Sequence, residues 1–457
     1  MAIINAFSAL RPREEYASLV ASLPYDVLNS DEARELVKDN PYSFLRVEKP
    51  EIDLDRSIDI YDDRVYAKAV DNLNWLSGAM IRDKKPNLYI YRLIMDNIQQ
   101  TGLVACTALD DYLSGVIKRH ELTREDKERD RTRLIEATQA NTSPILMVYP
   151  NKANPEIRNR IADYTSSNAP IYDFTSDDGI THQVWVVSCG KDIGQLTEEF
   201  KSLPVLYIAD GHHRSASAAT VGLKRRNNSK VNMNESRNSI EDHTCGHRSS
   251  TAASACERHN SAETNACEHH NRTEASACKD DSCLLSVIFP DIEMRILDYN
   301  RVVADLNDLS ADELLKRLEE QFIVTPSETQ VKPEKQREFG MYLSKKWYRI
   351  EYKGMMPNSD IQKDALDVSI LQNELLKPIL GITDPRSDRR IDFVGGLRGL
   401  GELEKRVNSG EMAVAFSLYP TSMSQLMAIA DAGEVMPPKS TWFEPKLRSG
   451  LFVNMLK

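Results

Sequence analysis

The pattern of apolar and polar positions changes period repeatedly along the chain, and it predicts an α/β (α+β) protein. Runs of β-branched and aromatic residues predict strands, and NLYIYRLIMD and TGLVACTAL read as two strands joined by a short polar turn. Apolar residues three and four positions apart predict helices over residues 61–82, 110–119 and 156–167. Because helices alternate with apparent hairpins, we expect a mixed sheet.

The same patterns continue into the second half of the chain. The strand VLYIAD precedes an alanine-rich helix over residues 212–226, and the strands CLLSVIFP and MRILDYNRVV follow much later. Helices near 310–321 and 360–377 and the strands KKWYRIEYK and EMAVAFSLYP come next. We therefore predict one α/β domain from residues 1–226 and 283–305, an insertion over 227–282, and a C-terminal α/β domain over 306–457.

The insertion contains an 11-residue repeat, CGHRSSTAASA, CERHNSAETNA and CEHHNRTEASA. It has almost no large apolar residue to bury, so we expect it to be disordered and dispensable for activity. Its cysteines and histidines raise the alternative of metal binding. Zinc sites favour closely spaced cysteine or histidine pairs, however, and here each cysteine stands a full repeat from the next.

Composition and charge narrow the class of protein. Hydrophobic residues make up 41% and charged residues 28%, and no apolar run is long enough to span a bilayer. The start of the chain lacks the features of a secretory signal, so we expect a cytoplasmic protein without membrane contact. The formal net charge is −11, and no basic block is present, which argues against nucleic acid as a partner.

The stretch VLYIADGHHRSASAAT, residues 205–220, is the strongest candidate for chemistry. A strand, a glycine and a helix start direct unpaired backbone N–H groups and the positive end of the helix dipole at one spot. Gly211 permits a close approach, and Arg214 adds donors suited to phosphate oxygens. His212 and His213 can bind phosphate or move a proton, and Asp210 can hold a magnesium ion or orient a histidine. We predict a phosphate site, with a plain polar turn as the alternative.

This stretch resembles the phosphate-binding box, often written DGHHR, of the ParB and sulfiredoxin superfamily, which includes the free-serine kinases. The chain also resembles the domain-of-unknown-function family number 1015, through PYDV, NPYSFLRVEKPE, KRHELTREDKERDR, TSPILMVYP, RILDYNRVV and MPPKSTWFEPKLRSGLF. The resemblance implies a ParB/sulfiredoxin-like nucleotide-binding core with a mixed sheet. Sulfiredoxin chemistry needs a cysteine where this chain has His213, and ParB function needs a basic DNA-binding surface. Of the activities in this superfamily, the resemblance therefore implies that of a small-molecule kinase.

Two further stretches supply partners for the box. In KRHELTREDKERDR, we predict His120 and Glu121 at a helix break, where either can accept a proton from a hydroxyl, and Arg119 meets phosphate. A solvated charged helix is the alternative, and it is favoured for residues 124–133. Near the end of the chain, Arg398 in a glycine-rich turn and Lys439 in MPPKSTWFEPKLRSGLF are candidate phosphate ligands. The alternative for Arg398 and Lys439 is that their segments only pack against the rest of the chain and bind no phosphate.

These observations favour a kinase that phosphorylates a small hydroxylated metabolite, with free L-serine as the first substrate to test. The expected cofactor is Mg²⁺, held at Asp210, with ATP or ADP as the nucleotide. A nucleotide-binding switch with little turnover and a phosphate-ester hydrolase remain alternatives, and homo-oligomers are possible. The predicted catalytic residues are His120, Glu121, Asp210 and His212, and the predicted phosphate ligands are Gly211, His212, His213, Arg214, Arg119, Lys439 and Arg398.

Overall fold

The structure is a computed structural model that describes residues 1–241, 283–354 and 362–456, with strands and helices distributed along all three ranges. The strands are β1 (Ile4–Asn5), β2 (Leu10–Pro12), β3 (Met80–Arg82), β4 (Leu88–Met95), β5 (Ile98–Ala108), β6 (Ile117–Lys118), β7 (Ala140–Asn141), β8 (Ile145–Tyr149), β9 (Tyr172–Thr175), β10 (Thr181–Val187), β11 (Leu206–Asp210), β12 (Cys283–Pro290), β13 (Arg295–Leu297), β14 (Tyr299–Val303), β15 (Phe322–Ser327), β16 (Glu338–Leu343), β17 (Lys346–Tyr352), β18 (Ile391–Gly395), β19 (Val414–Leu418), β20 (Trp442–Glu444) and β21 (Asn454–Met455).

Helices lie between these strands throughout the described ranges. They are α1 (Ala17–Val20), α2 (Ser30–Val37), α3 (Leu45–Glu48), α4 (Asp63–Leu76), α5 (Leu109–Ser114), α6 (Glu125–Thr138), α7 (Glu156–Ser167), α8 (Gly190–Lys201), α9 (His212–Glu241), α10 (Ala311–Leu318), α11 (Asp367–Leu371), α12 (Gly399–Asn408) and α13 (Met423–Asp431). None of these helices combines the length and the apolar character that crossing a bilayer requires.

The larger sheet has nine strands, with β6-β11-β8-β12-β5-β4-β10-β9 in order and β1 paired to β5. The pairs β11–β6 and β12–β8 are parallel and the other pairs are antiparallel, so the predicted α/β fold with a mixed sheet is confirmed. The predicted hairpin is β4–β5, and its two turn residues, Asp96 and Asn97, both have positive φ as a two-residue hairpin turn requires.

A second sheet of six antiparallel strands has the order β15-β17-β16-β19-β14-β18. One continuous apolar cluster joins the two sheets, from Tyr91 and Phe289 in the first to Phe339 and Phe416 in the second. A separate cluster covers the other face of the first sheet, where α7 and α8 pack. The two sheets therefore share one core, which fixes the position of each against the other.

Two predicted helices are shorter in the structure. The helix predicted over 61–82 ends at Leu76, because residues 80–82 form β3 and pair with β2. The helix predicted over 110–119 ends at Ser114, because Gly115 adopts a φ of +79° and the chain then enters β6. His120 and Glu121 consequently follow a strand and do not lie at a helix end.

The helix after the box is longer than the predicted 212–226, since α9 continues through Glu241. The rest of the predicted insertion, residues 242–282, lies outside the described residues. The strands divide between the sheets after Pro290, and β14 already belongs to the second sheet, before the boundary predicted at residue 305. The division into domains at the predicted boundaries stays a prediction.

After the second sheet, the end of the chain returns to the N-terminal part of the protein and pairs with short strands outside the nine-stranded sheet. The strand β20 pairs with β13, Ser449 and Val453 bridge to Ser22 and Leu10, and β21 pairs with β7. This return brings the segment of residues 437–448 beside the carboxyl end of β11, where Lys446 contacts Asp210.

Candidate functional site

Two parallel neighbouring strands assemble the site. The strand β6 runs beside β11, with Tyr207 opposite Lys118, so both strands end at the same edge of the sheet. His120 comes two residues after β6, and His212 comes two residues after β11. Their rings meet edge to face with centroids 4.4 Å apart. Residues far apart in sequence thus share one edge because the pairing is parallel.

The turn of the box is built around Gly211, whose φ is +94°. A Cβ at this position would lie 3.0 Å from Nε of Arg214 and 3.1 Å from its guanidinium carbon. The glycine therefore permits the arginine to pack directly against the turn. Arg214 is buried, and its Nη1 donates to the Pro144 carbonyl at 2.6 Å. The predicted phosphate ligand Arg214 thus lies beneath the turn and braces it.

Asp210 is held by cations on two sides. Its Oδ2 accepts from Lys446 Nζ at 3.0 Å, its Oδ1 accepts from the Gly211 N–H at 2.8 Å, and Arg214 Nη2 lies 3.8 Å away. Burial acts to raise the pKa of Asp210, but Lys446 and Arg214 outweigh it and keep the pKa below its ordinary value. The carboxylate is therefore ionised and fixes both Lys446 and the start of the turn.

His120, Glu121 and His212 form a tight group at the helix start. Oε2 of Glu121 lies 3.7 Å from Nδ1 of His212, and the His120 N–H donates to Nε2 of His212 at 3.5 Å. The potential ligand atoms of the three side chains lie within 4.8 Å of one another. His120 and His212 are buried, whereas 44% of the Glu121 side chain is exposed. Glu121 is therefore the acid that a small molecule can reach.

Burial controls the ionisation of this group. It lowers the pKa of His120 to about 4, against the opposing effects of the Ile208 backbone and Asp210. Burial and the neighbouring His120 lower the pKa of His212 well below its usual value. Partial burial in the cleft, together with the Asp210 charge, raises the pKa of Glu121 even though the carboxylate is partly exposed. Both imidazoles are therefore neutral near pH 7.

Two lysines from the C-terminal segment face the same cleft. Lys446 Nζ lies 5.0 Å from the Trp442 ring centroid, and Lys439 Nζ lies 5.6 Å from that of Tyr299. Burial acts to lower the pKa of each, but Asp210 raises that of Lys446 and Tyr299 raises that of Lys439. Both lysines are cationic, and both act on the pKa of Glu121.

The remaining predicted ligands lie less directly at this group. The ring of His213 is half-buried, and its Nε2 accepts from the Arg124 N–H at 3.0 Å. Arg119 is exposed and turned onto the Tyr112 ring, 5.1 Å from its centroid. Arg398 is also exposed and has no ion pair with any residue in the described ranges.

The glycine-rich turn before Arg398 is explained by packing. A Cβ on Gly395 would lie 2.8 Å from the Trp442 ring, and one on Gly396 would lie 2.5 Å from the Asp298 carboxylate. Gly395 thus lets Trp442 lie against β18, Gly396 makes room for Asp298, and Trp442 in turn supports Lys446.

The cleft contains two further charged residues, Lys446 and Asp26, that are not among the predicted site residues. Lys446 lies in MPPKSTWFEPKLRSGLF, the segment in which Lys439 was the predicted phosphate ligand. Asp26, in PYDV, is exposed and acts on the pKa values of Arg214, Lys439 and Lys446, so it faces the same cleft. The sequence feature that could have indicated a functional role for Lys446 is its position beside aromatic and proline residues in a polar terminal segment.

Residues 4–241 and 246–369 match the family described as Protein of unknown function (DUF1015). The chain belongs to this family. The matched ranges include Asp26, the His120–Glu121 pair and the whole box, whereas Lys439 and Lys446 lie beyond them. No curated protein matches the chain.

Remote likenesses to solved structures were also found. A free serine kinase in complex with AMP is 14% identical, with 76% of this chain and 91% of that chain covered and a TM-score of 0.32. A conserved hypothetical protein from Pyrococcus furiosus is 15% identical, with coverage of 77% and 95% and a TM-score of 0.31. SbnI with a C-terminal truncation, from Staphylococcus aureus, is 10% identical, with coverage of 77% and 87% and a TM-score of 0.33.

Proposed function

We propose that this protein is a nucleotide-dependent phosphotransferase that phosphorylates a hydroxyl group of a small metabolite. The observation that carries the proposal is the convergence of the α9 N-terminus, Lys439 and Lys446 around the carboxylates of Glu121 and Asp210. Backbone N–H groups and lysines stabilise phosphate oxygens, and a carboxylate removes the proton from the attacking hydroxyl. These are the parts that in-line phosphoryl transfer needs.

We assign the roles by exposure. Lys439 and Lys446 bind nucleotide phosphates together with the first N–H groups of α9. Glu121 is the general base, since it is the accessible member of its group. His212, whose Nδ1 lies 3.7 Å from Glu121, orients that carboxylate, and His120 supports the His212 ring. Asp210 holds Lys446 in position.

A magnesium ion fits the chemistry of this cleft, because Asp210 and Asp26 supply the oxygen donors that Mg²⁺ prefers. Asp210, which also accepts hydrogen bonds from Lys446 and Gly211, would hold the ion together with the nucleotide phosphates. The ion would neutralise negative charge on the transferred phosphoryl group.

The experiment combines a substrate screen with two variants. ATP, ADP and CTP are each incubated with Mg²⁺ and a panel of small hydroxyl compounds, with L-serine first because the box resembles that of the free-serine kinases. We expect transfer to one acceptor, a fall of about 10²–10⁴-fold in kcat for Glu121→Gln, and weaker nucleotide binding for Lys446→Met. The matched controls are Glu198→Gln and Lys405→Met, both at exposed positions.

The outcomes separate the alternatives. Phosphate release without an acceptor would identify a hydrolase instead. Tight nucleotide binding by calorimetry without any product would favour a regulatory switch. Activity of Glu121→Gln equal to that of Glu198→Gln would refute the assignment of the base.

A further inference from the structure

His120, Glu121 and His212 all have side chains of kinds that bind metal ions. Their potential ligand atoms lie within 4.8 Å of one another. Two donors bound about 2.0–2.2 Å from one ion are at most about 4.4 Å apart. A small rotation of a ring or of the carboxylate therefore brings all three donors onto one ion.

His120 supplies an independent observation. The residue is 2% exposed, and although the Ile208 backbone lies close enough to act on the pKa of the ring, neither ring nitrogen makes a hydrogen bond of ordinary geometry in the described part of the chain. A buried polar atom without a partner has lost its hydrogen bonds to water and gained none in exchange. A cation bound between His120 and its neighbours would give the unpaired imidazole nitrogen a partner.

The neighbouring cations are engaged with other groups. Lys446 donates to Asp210, and Lys439 lies over the Tyr299 ring. Among the described residues, the ion-pair partner of Glu121 is His212, at 3.7 Å, and no lysine or arginine pairs with its carboxylate. One carboxylate and two imidazoles therefore face each other without a side-chain cation between them.

We propose that His120, Glu121 and His212 bind a divalent transition metal ion of the Zn²⁺ type. Two imidazoles and one carboxylate are a donor set that Zn²⁺ uses, with the fourth position open, whereas Mg²⁺ takes oxygen donors. The site is therefore distinct from the magnesium of the nucleotide.

One consequence rests on the proposed function. An ion bound to Glu121 removes this carboxylate as a proton acceptor, so Zn²⁺ is expected to inhibit phosphoryl transfer. Metal binding itself is measured without nucleotide, and its failure would leave the proposed transfer reaction standing.

The test is equilibrium dialysis of the full-length protein against Zn²⁺, with bound metal counted by atomic emission. The Cys/His repeat can also take up ions, so the readout is the difference between proteins that all keep the repeat. We expect wild type to hold one more equivalent than Glu121→Gln and His212→Gln. The matched control, His213→Gln, changes the adjacent histidine outside the group and is expected to bind as wild type does.

Co²⁺ gives a second readout that separates thiolate from nitrogen and oxygen ligands. We expect a weak visible absorption in wild type and His213→Gln that is lost in Glu121→Gln, with any sulfur-to-cobalt band unchanged. Glu121 is partly exposed, so its variant is expected to fold, as circular dichroism will check. Equal zinc stoichiometry in all four proteins, or loss of the ion in the His213→Gln control, would overturn the proposal.

Discussion

At the scale of single residues, burial sets the charge of several side chains away from the cleft as well as in it. Asp367, at the start of α11, is 7% exposed, and its Oδ1 accepts from the Arg337 N–H at 2.9 Å. Its Oδ2 has no hydrogen-bond partner in the described ranges. Burial raises the pKa of Asp367 to about 7, against the weaker opposing effect of Arg337.

This shift predicts a pH dependence of stability. The folded state holds the proton of the Asp367 carboxyl more tightly than the unfolded state does. Proton binding at Asp367 therefore stabilises the fold fully below about pH 4, and this contribution is lost as the pH rises through about 7. We expect Asp367→Asn to be more stable than wild type at pH 8 by about 2–4 kcal/mol and nearly equal to it at pH 4. Thermal midpoints at the two pH values measure this. A constant difference between the proteins would refute it.

At the scale of elements, the junction between β11 and α9 depends on a backbone conformation that glycine adopts without strain. The φ of Gly211 is +94°, and the buried guanidinium of Arg214 occupies the space that a Cβ would need. The conformation of the turn and the position of the arginine are therefore coupled, and both fix the direction of the first N–H groups of the helix.

Gly211→Ala tests this coupling. We expect a loss of about 1–3 kcal/mol of stability, because the left-handed backbone becomes strained and Arg214 must move. We also expect weaker nucleotide binding by calorimetry. Gly194→Ala is the control, since Gly194 lies within α8 with nothing near its Cβ direction. That control is expected to gain up to about 1 kcal/mol. Equal effects of the two substitutions would contradict the argument.

At the scale of the whole molecule, the C-terminal segment connects both sheets to the site. After β20, Arg448 is 3% exposed, donates to Ser176 at 3.1 Å and pairs with Asp178 at the β9–β10 turn. His182 lies beneath it, with 3.4 Å between Arg448 Nε and His182 Nε2. This anchor follows Lys446 by two residues and therefore holds the lysine at the cleft.

Arg448→Met tests whether the anchor acts at a distance. We expect a lower thermal midpoint, because the ion pair and its hydrogen bonds are lost from a buried position, and a nucleotide affinity reduced by about 3–10-fold through Lys446. Arg386→Met is the matched control, since Arg386 is an exposed arginine that pairs with Asp384. If Arg448→Met lowers the midpoint but leaves nucleotide affinity unchanged, the segment is not the link to the site.

Local sequence signals identified the α/β class, the β4–β5 hairpin and the strand–glycine–helix junction of the box. These features depend on side-chain period, turn residues and the special backbone of glycine, all of which are set by neighbouring residues. The helix predicted over 110–119 failed for the opposite reason. Residues 117–118 have a helical pattern, but they form β6 because they pair with β11, which is distant in the chain.

Local patterns in the sequence therefore identified many of the strands, turns and helix starts, and they selected His120, Glu121 and the box as candidate site residues. How these stretches meet depends on the folded arrangement of the whole chain. The parallel pairing of β6 with β11 joins His120 to His212, and the return of the C-terminal segment brings Lys446 to Asp210. Such contacts depend on sheet order and core packing, which no local pattern specifies.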